Sequence, residues 1–173
     1  MTAYDIKTTL ERGSTRHFWR ESFGQLYPAL KRMEDAGLVH GEDDPTAGGR
    51  PRRVYDITED GMRAFVGWLG ETAAPEPVRH ELLLKLYFGQ SCGPEVCGDQ
   101  VRKLQMESEQ ILESYEAIAE TLGDIWVDHP DMPYWRMTLR FGISRCEATR
   151  EWCEETLAEL EQLSIDRTAA KTI

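Results

Sequence analysis

The sequence predicts a mainly α fold in two parts: a small head in which an amphipathic helix runs into a two-stranded β ribbon, then a body of long antiparallel helices. Three observations carry this. Ser22 to Gly37 places apolar residues at helical spacing. Residues 38–58 give two short β-leaning runs around Asp-Asp-Pro and Gly-Gly dipeptides. From Cys97 onward, two long segments keep apolar steps of four and three.

The first helix is predicted over Thr2 to Arg12, with Thr2 as cap, Asp5 three residues on, and Gly13 as the stop. Phe18 and Trp19, in the connection that follows, are expected to pack under the next helix. That next helix starts where Ser22 and Gln25 stand at capping-box spacing. Phe23, Leu26, Tyr27, Leu30 and Met33 form its apolar stripe, Gln25, Lys31 and Arg32 lie off it, and Gly37 ends it. Pro28 lacks an amide hydrogen, so a kink or a broken first turn is expected there. A helix with a buried stripe and a Gln/Lys/Arg outer face, set before a basic hairpin, suits a DNA major groove. The competing reading is an ordinary solvated face.

The β runs are Leu38 to Gly41 and Arg52 to Thr58, joined by a long loop. Arg50, Arg52 and Arg53 gather on its far shoulder, where guanidinium groups can reach a flanking minor groove. Glu42, Asp43 and Asp44 on the other shoulder are expected to point away from phosphate. Thr58 caps a further helix whose inner stripe is Met62, Phe65, Val66 and Leu69. Ala73 to Pro77 is the clearest break, giving domains 1–73 and 74–173.

Beyond the break, Val78 to Gln90 reads as a short leucine-rich helix suited to burial. Val101, Leu104, Ser108, Ile111, Tyr115, Ile118 and Leu122 then form a coiled-coil seam ending at Gly123, and residues 124–133 form a loop. Leu139, Ile143, Cys146, Arg150, Cys153, Leu157 and Leu160 repeat the seam in a last helix from Tyr134 to about Leu163. Helices of about 30 residues run about 45 Å. Such seams are expected to find a partner in a second copy, giving a homodimer.

Composition sets limits on function. Net charge is −11, which taken alone argues against nucleic acid, yet through Asp56 there are 9 basic and 9 acidic residues against 10 and 19 from Pro75 onward. A neutral head with clustered arginines on an acidic body is compatible with a selective DNA binder. No apolar run approaches the roughly 20 residues of a membrane span and no secretion signal is evident, so a cytoplasmic location without membrane contact is expected. His17, His40, His80 and His129 are scattered and no catalytic grouping or phosphate-cradling loop occurs, so neither an enzyme nor a cofactor is expected. Cys92 and Cys97 have poor zinc spacing, so no metal is expected, and Cys146 and Cys153 read as small buried hydrophobes.

Several stretches together resemble the PadR family of bacterial transcriptional regulators: Tyr4 to Glu11, His17 to Trp19, Gly24 to Val39, Gly48 to Thr58 and Gly61. Leu82 to Gly89 and Tyr134 to Trp152 resemble the helical C-terminal domain of that family's longer, virulence-activator-like branch. The resemblance implies a winged helix-turn-helix on a helical dimerisation domain, a homodimeric regulator and usually a repressor released from double-stranded operator DNA by a small molecule. It implies that Ser22, Gln25, Tyr27 and Lys31 face DNA from the recognition helix, with Arg50, Arg52 and Arg53 on the wing, and that Pro28 is tolerated. Trp68, Trp126, Trp135 and Trp152 are candidate lining for a small aromatic or hydrophobic effector, with ordinary core packing as the alternative. Family members usually carry another apolar helix before the equivalent of Ala3-Tyr4-Asp5. The expectation is that the coding start lies upstream; the alternative is a dimeric interaction or effector-binding protein with impaired DNA binding.

Overall fold

The computed structural model describes residues 1–12, 14–19, 22–44, 52–75, 79–125 and 128–171. These form two compact units, Met1–Glu76 and Pro77–Ile173. The first contains α1 (Ala3–Arg12), a 3₁₀ turn (Ser14–His17), α2 (Phe23–Asp35), β1 (Val39–Asp44), β2 (Arg52–Ile57) and α3 (Glu59–Leu69). The second contains α4 (Glu81–Tyr87), a 3₁₀ turn (Gly89–Ser91), α5 (Pro94–Ile125) and α6 (Met132–Lys171). The mainly helical fold with a two-stranded antiparallel wing follows the sequence expectation.

α1 begins with a reciprocal cap. Asp5 Oδ2 accepts from the Thr2 amide at 2.9 Å and the Thr2 hydroxyl at 2.8 Å, while Thr2 Oγ1 accepts from the Asp5 amide at 3.1 Å. Ahead of it, the chain runs beside β2: the Met1 amine donates to the Tyr55 carbonyl at 2.8 Å, and the Tyr55 amide returns to the Met1 carbonyl at 2.8 Å. α2 packs Leu26 and Leu30 on Ala3, with Phe23, Ile6 and Tyr55 closing the cluster. Tyr27 and Met33, placed on the buried stripe from sequence, stand exposed instead, because the stripe is wider than the face that α1 and β2 cover. The helix runs through Pro28 without a break. Phe18 and Trp19 are also more than half exposed, at 53% and 55%, rather than packed under α2.

Gly37 ends α2 at φ +71°, with its own amide bonded to Glu34 O at 2.9 Å and the Leu38 amide to Met33 O at 2.8 Å. This is a Schellman closure, which needs a left-handed residue. It turns the chain directly into β1. The hairpin registers Val39 with Ile57, Asp43 with Arg53 and Asp44 with Arg52. Glu42, Asp43 and Asp44 therefore belong to the first strand, not to the loop, because their backbone completes the ladder opposite the arginines. At the base, Thr58 Oγ1 donates to Gly37 O at 2.7 Å and accepts from the Gly61 amide at 3.0 Å, so one hydroxyl joins helix end, wing and α3. Gly61 is buried where a Cβ would overlap the Leu38 carbonyl. Met62, Phe65, Val66 and Leu69 are exposed in this chain, so the inner stripe assigned to α3 has no cover among the described residues of its own unit.

In the second unit α5 has 32 residues and α6 has 40, both longer than expected, about 48 and 60 Å. Their seams interlock antiparallel. Val101 and Cys153 are fully buried, and Ser108 Oγ donates to Cys146 O at 3.2 Å. Tyr115 lies against the backbone of Gly142, which a side chain would block. Thus the heptads are satisfied between α5 and α6 of one chain, and any second copy must use another surface. Arg150 is exposed and pairs with Glu154 at 3.9 Å, while Thr149 takes its inward place. α4 buries none of its leucines fully. Cys146 and Cys153 are buried free thiols, as expected.

Candidate nucleic-acid interface

The exposed face of α2 carries Ser22, Gln25, Tyr27, Lys31 and Arg32. Ser22 and Gln25 are bound to each other: Gln25 Oε1 accepts from the Ser22 amide at 3.2 Å and the Ser22 hydroxyl at 2.8 Å. The cap therefore orients the Gln25 side chain and occupies its acceptor, leaving the amide NH₂ group as the end that can donate to a base edge.

Concave surfaces flank α2 on its two sides. The first, about 510 Å³, is lined by Thr2, Tyr4 and Asp5 from the chain start, Tyr27 from α2, and Arg52, Arg53 and Tyr55 from β2. It brings together three residues singled out from sequence: Tyr27, Arg52 and Arg53. The second, about 600 Å³, joins Ser22 and Gln25 to Lys7, Glu11, Arg16 and His17. Lys7 pairs with Glu11 at 3.1 Å and sits 4.2 Å above the Phe23 ring, so its charge is held beside the start of α2. Arg16 Nε donates to His17 Nε2 at 3.0 Å. Sequence reasoning did not assign Lys7 or Arg16 to the site. Arg16 stands in the run Gly13 to Glu21 beside Phe18 and Trp19, and Lys7 stands on α1, four residues before Glu11. Lys31 is exposed on α2 but lines neither concavity, and Arg50 lies outside the described residues.

The wing arginines differ in kind. Arg53 donates to Asp43 Oδ1 at 2.9 Å and to Glu34 Oε1, linking β2 to β1 and to the last turns of α2. These bonds raise its pKa further and hold the Glu34 carboxyl below the usual glutamate range. Gly41, buried beneath the pair, leaves the space: a Cβ there would stand 2.7 Å from both Arg53 Nε and Glu34 Oε1. Arg53 is thus a brace between α2 and the two strands, although its side chain stays 40% exposed. Arg52 is exposed, and its charge, after the two hydrogen bonds from Thr2, helps hold Asp5 in its ionised form.

Residues 1–66 match the family model described as the transcriptional regulator PadR-like family, and residues 78–161 match that described as virulence activator alpha C-term. The negative transcriptional regulator PadR of Bacillus subtilis is 26% identical over 168 residues, 94% of this chain and 91% of that protein. The crystal structure of that PadR in complex with operator DNA superposes with a TM-score of 0.78 at 24% identity, covering 92% of this chain and 91% of that one. Its complex with p-coumaric acid gives 0.72 at 24% identity, covering 93% and 90%. The virulence activator AphA of Vibrio cholerae is 30% identical, with a TM-score of 0.71 over 93% of this chain and 90% of its own.

Proposed function

Because the chain belongs to the PadR-like family of transcriptional regulators, we propose that it binds operator DNA as a homodimer, with Met1–Glu76 as the DNA-binding unit and Pro77–Ile173 as the dimerising one. The observation that carries the reading is the flanking of α2: Ser22, Gln25, Lys7 and Arg16 stand on one side, Tyr27 and Arg52 on the other. α2 enters the major groove. Gln25 and Lys31 meet base edges or phosphates there, Tyr27 and Arg52 follow the backbone toward the wing, and Arg50 extends the same contact. Arg53 serves by holding the wing to α2.

The dimer has support in α6, where Tyr134, Met137 and Phe141 lie exposed at spacings of three and four, away from the seam that α5 covers. Such an apolar stripe fits a second copy of the chain. Repression relieved by a small aromatic or hydrophobic effector follows by analogy with the B. subtilis protein, described as a negative regulator and solved with p-coumaric acid.

A second reading is a dimeric effector-binding protein with weak DNA affinity, favoured by one observation: in register, Asp43 and Asp44 face Arg53 and Arg52 across the wing. The test is binding to the DNA upstream of the protein's own gene, measured from 50 to 200 mM salt. The leading reading expects affinity to fall steeply with salt, and the Arg52→Ala slope to be shallower by about 0.9, the share of one phosphate contact. Salt-independent or absent binding selects the second reading.

A further inference from the structure

Beside the start of α5, two thiols lie in contact. Cys92 Sγ and Cys97 Sγ are 3.6 Å apart, the first residue exposed and the second buried. Both sulfurs approach one acceptor, the Gly89 carbonyl, at 3.5 and 4.0 Å. They form part of the wall of an apolar concavity of about 490 Å³ that Leu82, Leu86, Phe88 and Val96 continue. The far end of α6 fastens this corner: Ser164 Oγ donates to Glu95 Oε1 at 2.5 Å, and Arg167 donates to the Gln90 carbonyl at 3.4 Å.

The geometry points to Cys92 and Cys97 as a reversible dithiol–disulfide couple, oxidised by hydroperoxides, at the rim of this apolar concavity. A disulfide needs about 2.05 Å between sulfurs, so the pair must close by about 1.5 Å. Gly93, at φ +93° between the two, and the 3₁₀ turn before Cys92 leave that adjustment to backbone outside the regular helix. The exposed thiol reacts first. As thiolate, Cys92 attacks a peroxide oxygen; the O–O bond breaks, the departing hydroxide takes up the proton that Cys92 released on ionising, one water is formed, and Cys92 becomes a sulfenic acid. Cys97 then attacks that sulfur, its proton joins the departing hydroxide, and a second water is released as the S–S bond forms. Two electrons pass from the two thiols to hydrogen peroxide, which ends as two waters. Cys97 is buried, and burial raises its thiol pKa with the Arg167 charge opposing, while Cys92 is the sulfur that a peroxide in solvent reaches, so the opening attack falls to Cys92. Cys146 and Cys153 take no part, being buried a heptad apart on one helix, about 10 Å along its axis.

The full chain is treated with hydrogen peroxide, denatured, alkylated with iodoacetamide and digested with trypsin. A single peptide, residues 86–102, contains both Cys92 and Cys97 and neither of the other cysteines. The expected result is that this peptide is unalkylated and lighter by two hydrogens, that dithiothreitol before alkylation restores two alkylation sites, and that Cys146 and Cys153 stay alkylated. In Cys97→Ser, dimedone should instead trap a sulfenic acid on Cys92. A wild-type peptide with overoxidised Cys92 and alkylated Cys97, or a Cys92 disulfide between two chains, overturns the assignment, and neither result depends on how the variant folds.

Discussion

Single residues here act through groups that make several hydrogen bonds at once. Arg53 joins Glu34 and Asp43, and Thr58 joins Gly37 to Gly61. Two substitutions separate contact from support. Arg52→Ala should weaken DNA binding with little change in thermal stability, whereas Arg53→Ala should lower the melting temperature of the head, both read by salt-dependent titration and calorimetry. Glu34 gives a pH signature. Its carboxyl titrates below the ordinary value of 4.5, so its stabilisation is complete above that value and is lost as pH falls through the lower, folded-state value. Glu34→Gln should therefore flatten the acid limb of a melting-temperature profile; an unchanged limb would remove Glu34 from the brace. Gly37→Ala should cost about 1–2 kcal/mol from the left-handed backbone alone, since a Cβ there meets nothing. Gly61→Ala, where a Cβ meets the Leu38 carbonyl, should cost about 3 kcal/mol.

Among the elements, α5 and α6 show how a heptad decides its partner. Buried positions Met132, Leu139, Cys146 and Cys153 recur every seven residues on α6, facing Val101, Ser108 and Tyr115 on α5. Tyr115 lies so close over Gly142 that a Cβ there would overlap its Cζ, and burial raises its phenol pKa above the usual value. Gly142→Ala should destabilise the helix pair by about 1–3 kcal/mol. Adding Tyr115→Leu should recover part of that loss if the clash is the cause, and strictly additive losses in a double-mutant cycle would show that it is not. In the head, β1 and β2 owe their register to the closure at Gly37 and the tie at Thr58, which set where the arginines stand relative to α2.

For the molecule as a whole, the proposed dimer would use the exposed stripe Tyr134, Met137 and Phe141, and assembly is then expected to set operator affinity. Light scattering should give twice the chain mass for the wild type. Met137→Glu with Phe141→Glu should give single chains that bind an operator more weakly, by a factor of about 100 or more, because the second half-site no longer binds as an intramolecular event. A double variant that remains dimeric would place the interface elsewhere.

Periodicity and caps made much of this legible from the chain alone. The start of α2 at Ser22, its end at Gly37, the two seams and the paired β runs all follow from local rules in which neighbours three, four or two residues apart decide the outcome. Local rules also explain the errors. They placed Tyr27, Met33, Phe65 and Val66 inside because apolar spacing marks a face without saying how much of it a neighbour will cover. They grouped Arg52 with Arg53 because adjacent residues look alike in sequence, although they alternate across a strand and only Arg53 turns toward Glu34. The order of helices and strands was thus written in the sequence. Which arginine braces the wing to α2, and that α5 and α6 satisfy each other, were decided only by contacts between elements, where distance in space replaces distance along the chain.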